Sequence, residues 1–523
     1  MRRLLLFSMV ALLLVPAAAS ARAKTSGGVP LPPGAVKSDN LEYLGSFGGE
    51  GLVEGKFDRV HGRSVLITTG RFGFRIYDVG NPARPRLLDE FQPAMILDSS
   101  AAENPSDGYW QDEDMDIDTR RKLIIGALDP RHDNDDQESC EGVGTDPDPP
   151  ILSKTRNPGC RSGFFVISYG NPHNLRQVGD FVDLPAGHTA SCINNCDYIW
   201  TGGPARRTDL AYLGPFDEGG RGDGRPIWVT DLRNARKPKV FGNPIDLWRN
   251  DGATDYSHDV QVDERGIAWV SGRGGIRGYA TKGTHRDPTS NLLREATPWD
   301  PILVAGGGVG GVNAPDSMFM HNSWRPTNDS VQAEGVEKGN ILIGTEEEFI
   351  DDSCETDGRL VVSDLTDSWG GEQALNSTPD TPYRMKPLDT FHPAQDTSET
   401  AADSDECSAH YFELRKSTLA QAWYAQGLRL IDVSNARDIR QIGYYRVSTG
   451  DTATDSNSWD VAWRGNLVYL FDMNRGIEIL RLKGGAAASA RMRKVTAPSM
   501  KRPARFKAVS SLESGGLVCP LFE

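Results

Sequence analysis

The chain has 523 residues, 38% of them hydrophobic, with 57 Lys and Arg against 72 Asp and Glu for a formal net charge of −15. That composition supports a large folded core and excludes wholesale disorder. The acidic balance also argues against binding a phosphate backbone, which needs clustered cations, so nucleic acid is not an expected partner.

At the N-terminus, Arg2 and Arg3 precede an apolar run from Leu4 to Val15 and an Ala21-x-Ala23 pattern. Residues 1–23 therefore read as a secretory signal peptide. The run is about 12 residues, short of the roughly 20 that span a bilayer, and no later stretch approaches that length. The mature protein is expected to be secreted or extracytoplasmic, without a transmembrane segment. Cleavage after Ala23 would remove three arginines and make the chain more acidic still. Residues 24–40 read as a linker.

From Leu41 to Lys483 one pattern recurs: an alternating strand, an Asp turn, Asn-Pro or similar punctuation, then a second short strand. Copies begin at Gly73 (GFRIYDVGNPARPRLLDEF), Gly163, Pro226, Arg359 and Gly427 (GLRLIDVSNARDIRQIGYY), with degenerate members at Gly275 and Gly476. A different hairpin precedes each copy, for example SHDVQVDERGIAWVSG from Ser257, so each unit holds four short strands. Seven such units with almost no helical periodicity predict an all-β, seven-bladed β-propeller. The last unit lacks its fourth strand, whereas LEYLGSFGG from Leu41 is a fourth strand without a unit. The N-terminal strand is therefore expected to complete the last blade and close the ring, leaving no open edge. The repeated Asp78, Asp231, Asp364 and Asp432 read as turn caps.

These repeats, strongest at Gly73 to Phe91 and Gly427 to Tyr445, resemble the LVIVD repeat. The resemblance implies an exported bacterial or archaeal propeller and says little about activity, because a fold does not fix a function. A related likeness is to selenium-binding-type proteins and methanethiol oxidases, which implies a metal held by axial histidines. Their cysteine motif is absent from this chain, so the likeness does not extend to thiol oxidation.

With strands named A to D from the axis outwards, loops from D to the next A and from B to C share one face. Long insertions at 92–112, 129–162, 202–225, 304–319, 346–358 and 392–409 fall there, the mark of a binding face; others at 281–299, 325–339 and 366–386 enlarge the opposite side. Aligning the starts of strand A puts Lys56, Glu113, His188, His258, His321, His410 and Trp459 in one register round the axis. Four of the nine histidines of the chain thus fall at one position on consecutive blades. Converging imidazoles can bind Zn, Cu, Ni or Fe, with Glu113, or Glu346 at the end of its strand B, completing the shell or acting as a base. The alternative is that His is the repeat's preferred residue there and packs by hydrogen-bonding backbone across blades.

Seven cysteines in an exported chain read as disulfides, with Cys192–Cys196, Cys140–Cys160 and Cys354–Cys407 the expected pairs and Cys519 left over. Other pairings are open, and a redox role for Cys192 and Cys196 lacks the usual spacing. The acidic runs Asp133 to Glu138 and Glu346 to Asp352 lack calcium-loop spacing and read as solvated loops. Residues 484–523 form a tail, basic from Lys483 to Lys507, that could touch anionic cell-envelope polymers. Three functions fit: an exported propeller binding a ligand or partner through the insertion-rich face around a His-lined channel, a metal-dependent enzyme with a channel metal, or a structural surface or matrix protein.

Overall fold

The computed structural model describes residues 29–93, 110–130 except 112, 162–203 except 185, 226–246 except 243, 257–309 except 273–274, 320–347, 358–370, 384–393 and 407–484 except 451–452. The expected signal peptide, the basic tail, the Cys140–Cys160 pair, Cys354 and Cys519 lie outside these residues. No helix among the described residues is long and apolar enough to cross a membrane.

The strands form a seven-bladed propeller. Blade 1 is the simplest: Leu52–Val60, Arg63–Gly70, Gly73–Asp78 and Arg86–Phe91 follow one another outwards as an antiparallel meander. Each sheet has a neighbour on both faces, so the inner strands are apolar on both sides rather than alternating. Blades 1 and 2 meet across Ile67, Phe74, Ile124 and Phe165, and blades 7 and 1 across Leu52, Tyr77, Tyr469 and Phe471. The five remaining junctions carry comparable buried layers. The core is therefore a ring of seven layers between blades.

The expected closure is present. Leu41–Phe47 pairs antiparallel with Gly476–Leu482, from Leu41 opposite Leu482 to Phe47 opposite Ile477, and becomes the outer strand of the blade begun by Ser458–Arg464. Within the segment expected to link signal and propeller, Ala35–Lys37 adds a fifth strand to blade 6, against Arg440–Val447. Blades 4 and 5 are also joined, because Ile302–Val309 pairs in parallel with Arg384–Phe391 at Gly308 and Val309.

The repeated aspartates do cap turns. Asp78 accepts from the Gly80 amide at 2.7 Å, Asp231 from Arg233 at 3.0 Å, Asp364 from Thr366 at 2.9 Å and Asp432 from Ser434 at 3.0 Å. Asp472 caps Asn474 in the same way at 3.0 Å, but it is fully buried and also receives the Ser458 hydroxyl at 2.7 Å. Burial, reinforced by Glu478, pushes its carboxyl up to about 7. Because the folded state then holds a proton that the unfolded chain releases near pH 4, this group's contribution to stability falls as pH rises from about 4 to 7 and is flat above. Chemical denaturation across that range should show wild type losing on the order of a few kcal/mol relative to Asp472→Asn. A pH-independent difference between the two would contradict the assignment.

Candidate functional site

The first pairs of strand A set the site. In blades 1, 4, 5 and 7 the register of strand A against strand B slips by one residue between Leu52 and Glu54, Ser257 and Asp259, Met320 and Asn322, and Ser458 and Asp460. The bulged residues are Val53, His258, His321 and Trp459. A bulge re-aims one side chain out of the pleat, and here it turns that side chain to the axis. The sequence alignment puts Lys56 in this ring, but the bulge gives the blade 1 position to Val53, with Lys56 three residues further along the strand.

Glu113, His188, His258, His321 and His410 are brought together, all with fully buried side chains. Glu113 Oε2 lies 2.9 Å from His188 Nε2, 3.3 Å from His258 Nε2, 3.5 Å from His321 Nε2 and 4.0 Å from His410 Nε2. Successive imidazoles follow the arc of the ring, with centroids 4.4, 4.2 and 3.9 Å apart. Val53 and Trp459 close the other side, packing with Tyr424 and Met473 as an apolar wall. Glycine is required beside His188: a Cβ on Gly203, whose φ is 109°, would lie 2.2 Å from the His188 Cβ.

Glu346 does not face the axis. Its carboxylate grips buried Arg359, just before the next strand, with Nε at 2.6 Å and a second bond at 3.0 Å. Strand alternation puts the following residue on the opposite side, and Glu347 takes the place expected for Glu346. Its Oε2 lies 4.0 Å from His258 Nε2 and 3.9 Å from His321 Nε2, and its Oε1 lies 3.9 Å from His410 Nε2. Tyr424 donates its hydroxyl to Glu347 Oε1 at 2.6 Å from a backbone with φ of 21°. A bulky residue held at positive φ stores strain that packing must offset, a pattern common at functional positions. Sequence reasoning makes neither Glu347 nor Tyr424 a site residue. The run Glu346, Glu347, Glu348 offers three adjacent carboxylates, and only the pairing register selects among them.

Backbone bonds between blades fix the tautomers of His258 and His410. His258 Nδ1 lies 3.0 Å from the carbonyl of His321, and His410 Nδ1 contacts the carbonyl of Trp459. A carbonyl only accepts, so each Nδ1 carries the proton and each Nε2 presents a lone pair to the axis. Burial lowers His258 and His410 to about 4 and His321 well below the usual histidine range. For Glu113, burial opposes ionisation, but His188, at 2.9 Å, outweighs it and holds the carboxyl well below the usual range. His188 Nε2 therefore donates, lying 2.8 Å from His258 Nε2 and 2.9 Å from the Glu113 carboxylate, and the Nε2 atoms of His258 and His410 face that carboxylate at a point shielded from bulk solvent. Two overlapping triads, Glu113, His258, His321 and His321, Glu347, His410, each keep their ligand atoms within 4.8 Å of one another.

A disulfide joins Cys192, in strand A of blade 3, to Cys196 in the turn that follows, and Cys407 is also disulfide-bonded.

No known family model matches the chain, and no curated protein matches it. Solved structures with some likeness include the extracellular domain of a hybrid two-component system of B. thetaiotaomicron, at 12% identity and TM-score 0.43 over 82% of this chain and 38% of that one. Others are a Lactobacillus plantarum protein, at 9% identity and TM-score 0.44 over 86% and 97% of the two chains, and the Myceliophteria thermophila Cps50 (Swd1) β-propeller domain, at 9% and 0.42 over 84% and 99%. The chain thus spans under two fifths of the first of these structures, and its likeness to LVIVD proteins stays one of repeat pattern.

Proposed function

We propose that this is an exported propeller that binds one divalent first-row transition metal ion on its axis. The observation that carries the reading is the convergence on one buried point of imidazole nitrogens and carboxylates, with the other nitrogen of His258 and of His410 pinned to a backbone carbonyl. That second contact is how proteins orient metal-binding histidine. Nitrogen and carboxylate donors without thiolate suit Zn, Cu, Ni or Fe. The two triads share His321, which favours a single ion over a pair. His258, His321 and His410 with Glu113 would form the shell, Glu347 would close it, and His188 would steer Glu113. The ion would supply Lewis acidity to whatever small ligand reaches it.

Backbone packing accounts for Nδ1 of His258 and His410, but not for Nε2 of His410, which is fully buried without a hydrogen-bond partner among the described residues, as are both ring nitrogens of His321. A second reading, ligand or partner binding by the insertion-rich face, has its own support. The described strand ends that border 94–109, 131–161, 204–225, 310–319 and 394–406 lie at the end where strand A begins.

The two neighbouring glutamates separate fold from site. Glu347→Gln is expected to weaken metal binding about 10-fold or more with little change in unfolding midpoint. Glu346→Gln is expected to leave metal stoichiometry intact and to cost about 3 kcal/mol, since it weakens a buried ion pair. Equilibrium dialysis with Zn²⁺ and thermal unfolding of both variants check this. Metal binding that follows Glu346 instead, or wild type holding far less than one ion per chain, would contradict it.

A further inference from the structure

Immediately beyond the bulges, strand A carries a second ring of different chemistry. Glu54, Asp114, Asp259 and Asp460 occupy this position in blades 1, 2, 4 and 7, and all four are buried. Asp114 faces Asp259 directly. Lys56 reaches back along its own strand to pair with Glu54 and lies 3.6 Å from Asp114, with Asp460 also within its field. Tyr411 follows His410 as Asp259 follows His258 and so holds the same position in blade 6. Its ring packs edge-on against His321 and His410, with centroids 4.5 and 4.9 Å away, and its hydroxyl lies in the field of Asp259, Asp114, Glu113 and Glu54. Tyr411 is buried, and its hydroxyl has no hydrogen-bond partner among the described residues. An oxygen donor left over inside a carboxylate layer is a feature a passing or resting cation would use.

The layer is not sealed on its far side. The His ring is fully buried, the carboxylates nearly so, whereas the Lys56 side chain is 34% exposed. Among the described residues of this layer, Lys56 is therefore the one that meets solvent.

We propose that this acidic layer is the route by which a divalent metal ion reaches the histidine centre, with Lys56 as the displaceable cation that closes it. The inference rests on the metal reading above. A hydrated ion would exchange water for carboxylate oxygens of Glu54, Asp114, Asp259 and Asp460, take the place of the Lys56 ammonium, and pass Tyr411 to the imidazoles. Hard oxygen donors hold such ions less tightly than imidazole, so the gradient runs inward. A fixed positive charge in a narrow acidic passage opposes a cation, as a negative one draws it in.

The test is the rate at which metal-free protein takes up Co²⁺, followed by visible absorbance. Lys56→Met is expected to accelerate uptake about 10-fold or more and Asp460→Asn to slow it by a similar factor, both with one ion bound at the end. Lys56→Arg, which keeps the charge, is the control expected to take up Co²⁺ no faster than wild type, and Asp460→Asn alone tests the route if the methionine variant does not fold. An unchanged rate in Lys56→Met and in Asp460→Asn, at full stoichiometry, would overturn the route and leave the metal site standing. Failure of wild type to bind Co²⁺ at all would overturn the site itself.

Discussion

Replacing His258 and His321 together with alanine is expected to abolish stoichiometric metal binding. Both belong to the triad with Glu113, and His321 is common to both triads. Removing them leaves His188 and His410 at the two ends of the arc, with the middle two nitrogens missing. Structural zinc sites are worth about 10–16 kcal/mol in apparent binding free energy, so losing two donors should lower affinity by many orders of magnitude. The fold should survive, because the layers that hold it lie between blades and away from the axis. Metal content by mass spectrometry and far-ultraviolet circular dichroism check the two halves. A folded double variant that still carries one ion per chain would show that the ion sits elsewhere.

Deleting residues 1–50 is expected to have the largest effect on stability. It strips the outer strand of blade 7 and exposes the edge of Gly476–Leu482, whose Ile477, Ile479, Leu480 and Leu482 are fully buried. The blade 6 and 7 layer loses Leu41 and Tyr43, and Tyr445 loses its stacking partner at 5.7 Å. An unpaired apolar edge is a template for association, so the truncated chain should aggregate and lose cooperative unfolding. A milder form is Leu41→Ala, expected to cost about 2–5 kcal/mol as a buried leucine truncation. A chain beginning at Asp39 serves as the control: it keeps the closing strand, loses the small strand Ala35–Lys37 and the Ser38 bonds to Tyr444, and should still unfold cooperatively without aggregating. A monomeric, cooperatively unfolding chain from residue 51 would contradict closure by the N-terminal strand.

The blades are legible in the sequence because each repeat carries its own punctuation, and the capping aspartates and the strand from Leu41 sit where the pattern puts them. The histidine arc is legible for the same reason: His188, His258, His321 and His410 follow one aligned position. What the pattern does not fix is a one-residue register. The bulge at Val53 is silent in GLVEGKFDRV, where Lys56 is the more conspicuous residue. In TEEEF, three consecutive glutamates look alike, and only the pairing of Met320 with Glu346 decides that Glu347 faces the axis. Tyr424 carries no sequence signal because its role depends on a turn conformation. The parallel pairing that joins blades 4 and 5 is equally hidden, since it links strands far apart in sequence.

Crystals of the metal-loaded protein, measured at that metal's absorption edge, test most directly whether the axial histidines hold a metal ion. One anomalous-scattering peak per chain is expected at bonding distance, about 2.0–2.2 Å, from Nε2 of His258, His321 and His410, with Glu113 or Glu347 in the same shell. A stoichiometric peak away from the axis, or an axis without any peak in protein soaked with Zn²⁺, Co²⁺, Ni²⁺ and Cu²⁺ in turn, would contradict it.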